Sequence, residues 1–139
     1  MRLTRSLLLA LWAGGLVSIG GLVAPVLFHV LDDRPLAGRL AGECFRVATL
    51  ASLLLAPVIA WLPAGAPAAR VTGRERLGVL APAVLLAISE WLVRPALEAA
   101  RGVAGSVPRA FIAWHAVSTL LYAAATVLVV AALVAALRR

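Results

Sequence analysis

The sequence predicts an all-α fold: a four-helix transmembrane bundle running up-down-up-down as one integral membrane domain over residues 1–139. Three observations predict it. Four long apolar stretches run from Ser6 to Leu31, Phe45 to Leu62, Leu77 to Val93 and Ala110 to Leu137. Of the 139 residues 63% are hydrophobic and 14% charged, with a mean hydropathy of +1.03. The charges sit at the ends of the apolar stretches. Hydrocarbon about 30 Å thick needs roughly 20 apolar residues in a helix, and a lipid-solvated backbone must satisfy its own hydrogen bonds. Little chain is left for a water-soluble domain.

The first span opens on Met1-Arg2-Leu3-Thr4-Arg5, which imitates the basic region of a signal peptide. Its apolar run is far longer than a signal core, so a retained span is expected. Ala10, Gly14, Ser18, Gly21 and Pro25 recur at three- and four-residue spacing, a stripe expected to let a neighbouring helix approach closely. Four residues further, His29 is expected to point into the bundle or its rim and away from lipid. Asp32-Asp33-Arg34-Pro35 forms the first link, with Pro35 suited to the first turn of the next helix. Span two therefore starts before its apolar part and carries Arg39, Glu43 and Arg46. The second link, Pro63 to Arg76, is rich in Pro, Ala and Gly, and Thr72 with Glu75 has capping-box spacing. Span three ends with Glu90 and Arg94. The third link, Arg94 to Arg109, holds the breakers Pro95, Gly102, Gly105 and Pro108. In span four His115, Ser118, Thr119, Tyr122 and Thr126 form a polar line, read as interhelical glue ahead of a ligand path. Ala24-Pro25, Ala56-Pro57 and Ala81-Pro82 are expected to bend their helices.

Both termini and the second link share one membrane face, here face A; the first and third links share face B. Face A carries Arg2, Arg5, Arg70, Arg74, Arg76, Arg138 and Arg139 and face B Arg34, Arg39, Arg46, Arg94, Arg101 and Arg109, a weak asymmetry; the placement of Arg2, Arg5 and the terminal pair favours an N-in, C-in orientation in the bacterial inner (cytoplasmic) membrane. Trp12 and Trp61 toward face A, and Trp91 and Trp114 toward face B, are read as interfacial anchors. The net charge of +7 is spread over span ends, with no basic face interleaved with aromatics, so nucleic acid is not an expected partner. The lone Cys44 forms no intrachain disulfide and no thiolate metal site. No catalytic triad pattern or phosphate loop stands out, and one Met with one Cys argues against a copper(I) path.

His29 and His115 fall at similar depth near face B. Two imidazoles on separate helices are what axial ligation of haem b requires. At the same level, Arg46 and Glu90 are expected either to form an interhelical ion pair or to snorkel to the headgroups and hold the helix ends in register, with Arg94 one turn beyond Glu90. Ionisable groups near hydrocarbon are costly unless paired or wet, so together they define a candidate polar pocket.

Ala24-Pro25-Val26-Leu27-Phe28, Leu31-Asp32-Asp33-Arg34, Ala37-Gly38-Arg39, and Phe111 with His115-Ala116-Val117-Ser118 resemble the transmembrane protein 205-like family of uncharacterised four-span proteins. That family is in turn distantly similar to the copper-resistance-D-like group, which includes haem-binding members. The resemblance implies a four-helix bundle in which Pro25, Phe28 and Gly38 match one motif and His115 and Ser118 another; His29 falls outside the matched positions.

The expected function is that of a small non-enzymatic membrane protein, an accessory or interaction component of a larger assembly. Its partners would be the lipid bilayer and other membrane subunits, or further copies of itself. Two rivals are carried. One is a haem b or redox protein using His115, with or without His29 and with Ser118 and Tyr122 nearby. The other is a transporter of small solutes or metal complexes dependent on Arg46 or Glu90.

Overall fold

A computed structural model of the chain describes residues 2–63, 71–101 and 108–138. Four helices long and apolar enough to cross a membrane account for nearly all of it: α1 (Leu3–Val30), α2 (Arg34–Trp61), α3 (Gly73–Ala99) and α4 (Arg109–Leu137). They alternate in direction. Each packs on its neighbours in sequence, and α4 closes the square by packing on α1. The fold is thus the expected membrane bundle.

The helix starts follow from local chemistry. Asp33 caps α2 by accepting a hydrogen bond from the Leu36 N–H at 2.9 Å, with Pro35 in the first turn. At the start of α3 the Thr72 hydroxyl accepts from the Glu75 N–H (3.3 Å) while Glu75 Oε2 accepts from the Thr72 N–H (3.0 Å), closing a capping box.

Two of the helices contain π turns, Ile19–Val23 in α1 and Ser89–Val93 in α3. Each lies just ahead of a proline, Pro25 and Pro95. A proline inside a helix removes one N–H and presses its ring on the carbonyl four residues back, and a wider turn there takes up the misfit. This is why Pro95 does not end α3, which runs on to Ala99 where a link from Arg94 onward was expected. Pro57 and Pro82 lie in uninterrupted α-helix. The expected breakers Gly102 and Gly105 lie outside the described residues, as do Arg70 and Arg139.

Packing corrects two expectations. The small-residue stripe of α1 does not face the bundle: Ala10, Gly14, Ser18, Gly21 and Pro25 are all exposed, and a Cβ built on Gly14 or Gly21 meets nothing within 4 Å. The inner face of α1 is made instead by Leu9, Trp12, Ala13 and Leu16. The small side chains that admit a close neighbour belong to α2, where Ala48, Ala56 and Ala60 are buried in the same core cluster as those large α1 residues. One large face and one small face fill the space between two helices; two small faces would leave a void, and voids are costly. Trp12, expected as an interfacial anchor, is accordingly a core residue at 4% exposure. Its indole Nε1 donates to Ser52 Oγ on α2 at 2.7 Å, and that hydroxyl donates onward to the Ala48 carbonyl at 2.6 Å. Trp12→Phe is expected to cost about 1 kcal/mol, the scale of an interhelical hydrogen bond in a membrane protein, and a thermal melt in detergent measures it. Trp61, Trp91 and Trp114 are exposed, as anchors are, with Arg76 stacked 5.7 Å from the Trp61 ring.

Candidate functional site

The face-B end of the bundle holds the densest polar chemistry. On α3, Glu90, Arg94 and Glu98 repeat at four-residue spacing and so share one side of the helix. Facing them on α2 are Glu43 and Arg46. Arg94 is the hub: Nη1 donates to Glu90 Oε1 at 2.9 Å, Nη2 to Glu43 Oε1 at 2.6 Å and Nε to Glu98 Oε1 at 3.0 Å. Arg46 completes the cluster, its Nε 3.5 Å from Glu90 Oε1 and its Nη1 3.9 Å from Glu43 Oε2. The planar fork of an arginine can address several carboxylates at once, which the point charge of a lysine does not.

Burial is graded across this cluster. The Glu90 side chain is 14% exposed and Arg94 25%, while Glu43, Glu98 and Arg46 are all above 50%. Glu90 shares its Oε1 between two guanidiniums, which suits the carboxylate held deepest. Three carboxylates meet two guanidiniums, so the cluster retains one negative charge, carried on its outer edge by Glu43 and Glu98. Arg46 and Glu90 are brought together as a pair across two helices, and Arg94, placed by sequence beside them, proves to be the centre. Glu43 and Glu98 were missed as site residues. The signal was present in the four-residue step from Arg94 to Glu98 and the three-residue step from Glu43 to Arg46.

From Glu90 a polar line runs inward along α4. Ser89 and Ser118 share a hydrogen bond of 3.1 Å between α3 and α4. One turn deeper, the Tyr122 hydroxyl donates to the Leu16 carbonyl of α1 at 2.8 Å. The Tyr122 ring meets Phe45 of α2 edge-on, with centroids 4.7 Å apart, and lies flush against Gly20, where an added Cβ would come within 2.9 Å of Cε1. Ser118 and Tyr122 are therefore engaged in helix–helix contacts. Thr119 and Thr126 donate to the carbonyls of His115 and Tyr122 one turn back.

The histidines stand apart from this line. His115 is exposed and stacks on Phe111, with ring centroids 6.0 Å apart and planes 5° apart. His29 is exposed on the Ala24–Val30 turn, which packs on α2, whereas His115 belongs to α4. Among the described residues no group of three or more His, Cys, Asp or Glu is placed to hold a metal ion. The motif residues Phe28 and Gly38 are neighbours: a Cβ on Gly38 would lie 3.8 Å from Phe28 Cζ, an ordinary van der Waals distance.

Comparison with protein families matches residues 7–101 to a family described as a domain of unknown function (DUF4149). The matched segment covers α1 to α3 and contains every member of the ion cluster. No curated protein and no solved structure matches the chain.

Proposed function

We propose that this chain, which belongs to the DUF4149 family, is a small non-catalytic accessory component of a larger membrane assembly. It docks a basic group of a neighbouring subunit against the ion cluster at face B. The observation that carries this reading is the cluster's charge: Arg94 and Arg46 are matched to three carboxylates, and the surplus lies on the half-exposed Glu43 and Glu98. These half-exposed carboxylates at the rim of the bundle are open to a partner cation at the same level, which complements them electrostatically. Kinship with the transmembrane protein 205-like group, which rests on the sequence motifs at Pro25, Phe28, Gly38, His115 and Ser118, belongs to this proposal, as does an N-in placement in the bacterial inner membrane.

The test is mild-detergent purification followed by quantitative mass spectrometry of co-eluting chains. The variant Glu43→Gln/Glu98→Gln turns the cluster's net charge from one negative to one positive and leaves the Arg94–Glu90 contact in place. It is expected to lose the partner about tenfold, equivalent to about 1.4 kcal/mol; unchanged recovery contradicts the reading. The haem b alternative, with His115 as axial ligand, is separated by a visible spectrum: it requires a Soret band that disappears in His115→Ala, whereas an accessory bundle gives no band.

A further inference from the structure

The opposite end of the bundle holds a second site that the docking reading does not use. Between α1, α3 and α4 lies a cavity of about 350 Å³, within the range of small-molecule sites (roughly 300–1,000 Å³). Arg5, Arg74 and Glu75 bring charge to its lining. Arg5 is only 7% exposed, so its guanidinium is sunk between helices one turn from the start of α1. Glu75 is tied to the cap of α3, with Oε2 accepting from the Thr72 N–H at 3.0 Å. The opening exists because the rest of the lining is small: Gly78, one turn beyond Arg74 on α3, and Ala132 and Ala136 of α4 line it, and a Cβ on Gly78 meets nothing within 4 Å.

Depth and charge say what fits. The lining comes from the first turns of α1 and α3 and the last turns of α4, which is the headgroup level of a membrane. Among the described side chains at this end, Arg5, Arg74, Arg76 and Arg138 stand against Glu75. Basic pockets between membrane helices hold anionic lipid headgroups, and the guanidinium fork matches phosphate oxygens in pairs. We propose that this cavity binds the phosphate headgroup of an anionic glycerophospholipid, held by Arg5 and Arg74, with the acyl chains passing out over Gly78 and the alanine wall.

The test is native mass spectrometry of the full chain, delipidated in mild detergent and titrated separately with phosphatidylglycerol, phosphatidylcholine and inorganic phosphate. The wild type is expected to retain phosphatidylglycerol about tenfold better than phosphatidylcholine. Gly78→Leu fills the cavity from an open position and replaces a poor helix former with a good one, so it keeps the fold and is expected to abolish the preference. Arg5→Gln is expected to weaken retention to the same level. Equal retention of the two lipids, or an unchanged preference in Gly78→Leu, overturns the proposal. Protection by inorganic phosphate at the concentration at which the lipid acts overturns its assignment to a lipid.

Discussion

Replacing Arg94 by alanine is expected to destabilise the bundle by about 3–4 kcal/mol, the largest effect of any single substitution at the charged end. Breaking a buried ion pair by removing one partner costs about 3–5 kcal/mol, because the remaining charge stays behind unpaired. Here the orphaned groups are graded. Glu90, at 14% exposure, retains only Arg46 at 3.5 Å, whereas Glu43 and Glu98 are more than half exposed and recover water. The expected loss therefore falls in the lower part of that range. Arg94→Lys keeps the charge but not the fork, and should lose about half as much. Glu98→Gln, at the solvated rim, should cost no more than about 1 kcal/mol. Thermal melts of the three variants in one detergent check the order; a melt of Arg94→Ala equal to that of Glu98→Gln would show that the hub carries no structural load.

The second large effect concerns Gly20. A methyl group there would stand 2.9 Å from Tyr122 Cε1, and the ring is held by its bond to the Leu16 carbonyl and by Phe45 on its other side. Overpacking a fitted contact costs about 1–3 kcal/mol, against about 1 kcal/mol gained by replacing glycine with alanine in a helix. Gly20→Ala is thus expected to destabilise by up to about 2 kcal/mol in the wild type. In a Tyr122→Ala background the obstacle is gone, and the same substitution should stabilise. This reversal of sign in a double-mutant cycle is the check; additive effects would mean that the ring moves aside freely.

Which parts of this molecule could be read from its sequence follows from the physics of each feature. Span number and alternation come from length and hydropathy, which act over 20 residues at a time and tolerate local error. The capping box at Thr72 and Glu75 is similarly local. The inward faces were harder. In water an apolar stripe marks the core, but in lipid both sides of a helix are apolar, and the small stripe of α1 is as acceptable outside as inside. Leu9, Trp12 and Leu16 took the interior because the alanines of α2 left space for them. The π turns depend on how a helix relieves Pro25 and Pro95, while Pro57 and Pro82 in similar Ala-Pro pairs have none. At the site, Arg46 and Glu90 were legible because two opposite charges at one depth need each other. The role of Arg94 as hub depended on the rotation of α3 relative to α2, which no spacing within one helix encodes. Distance from the span ends puts His29 and His115 at one expected level, yet equal depth says nothing about which way a ring points.

The docking reading stands or falls on whether a protein neighbour sits beside Glu43 in the native membrane. Arg39 lies one turn before Glu43 on the same side of α2 and is exposed, while Leu54 is 74% exposed at mid-span. A photoreactive residue placed at position 39 is expected to crosslink to one discrete membrane chain. That product should fall about tenfold when Glu43→Gln/Glu98→Gln is added, while the pattern from position 54 stays unchanged. Crosslinks from position 39 that go only to lipid, or a protein product indifferent to the loss of the two carboxylates, would contradict the account.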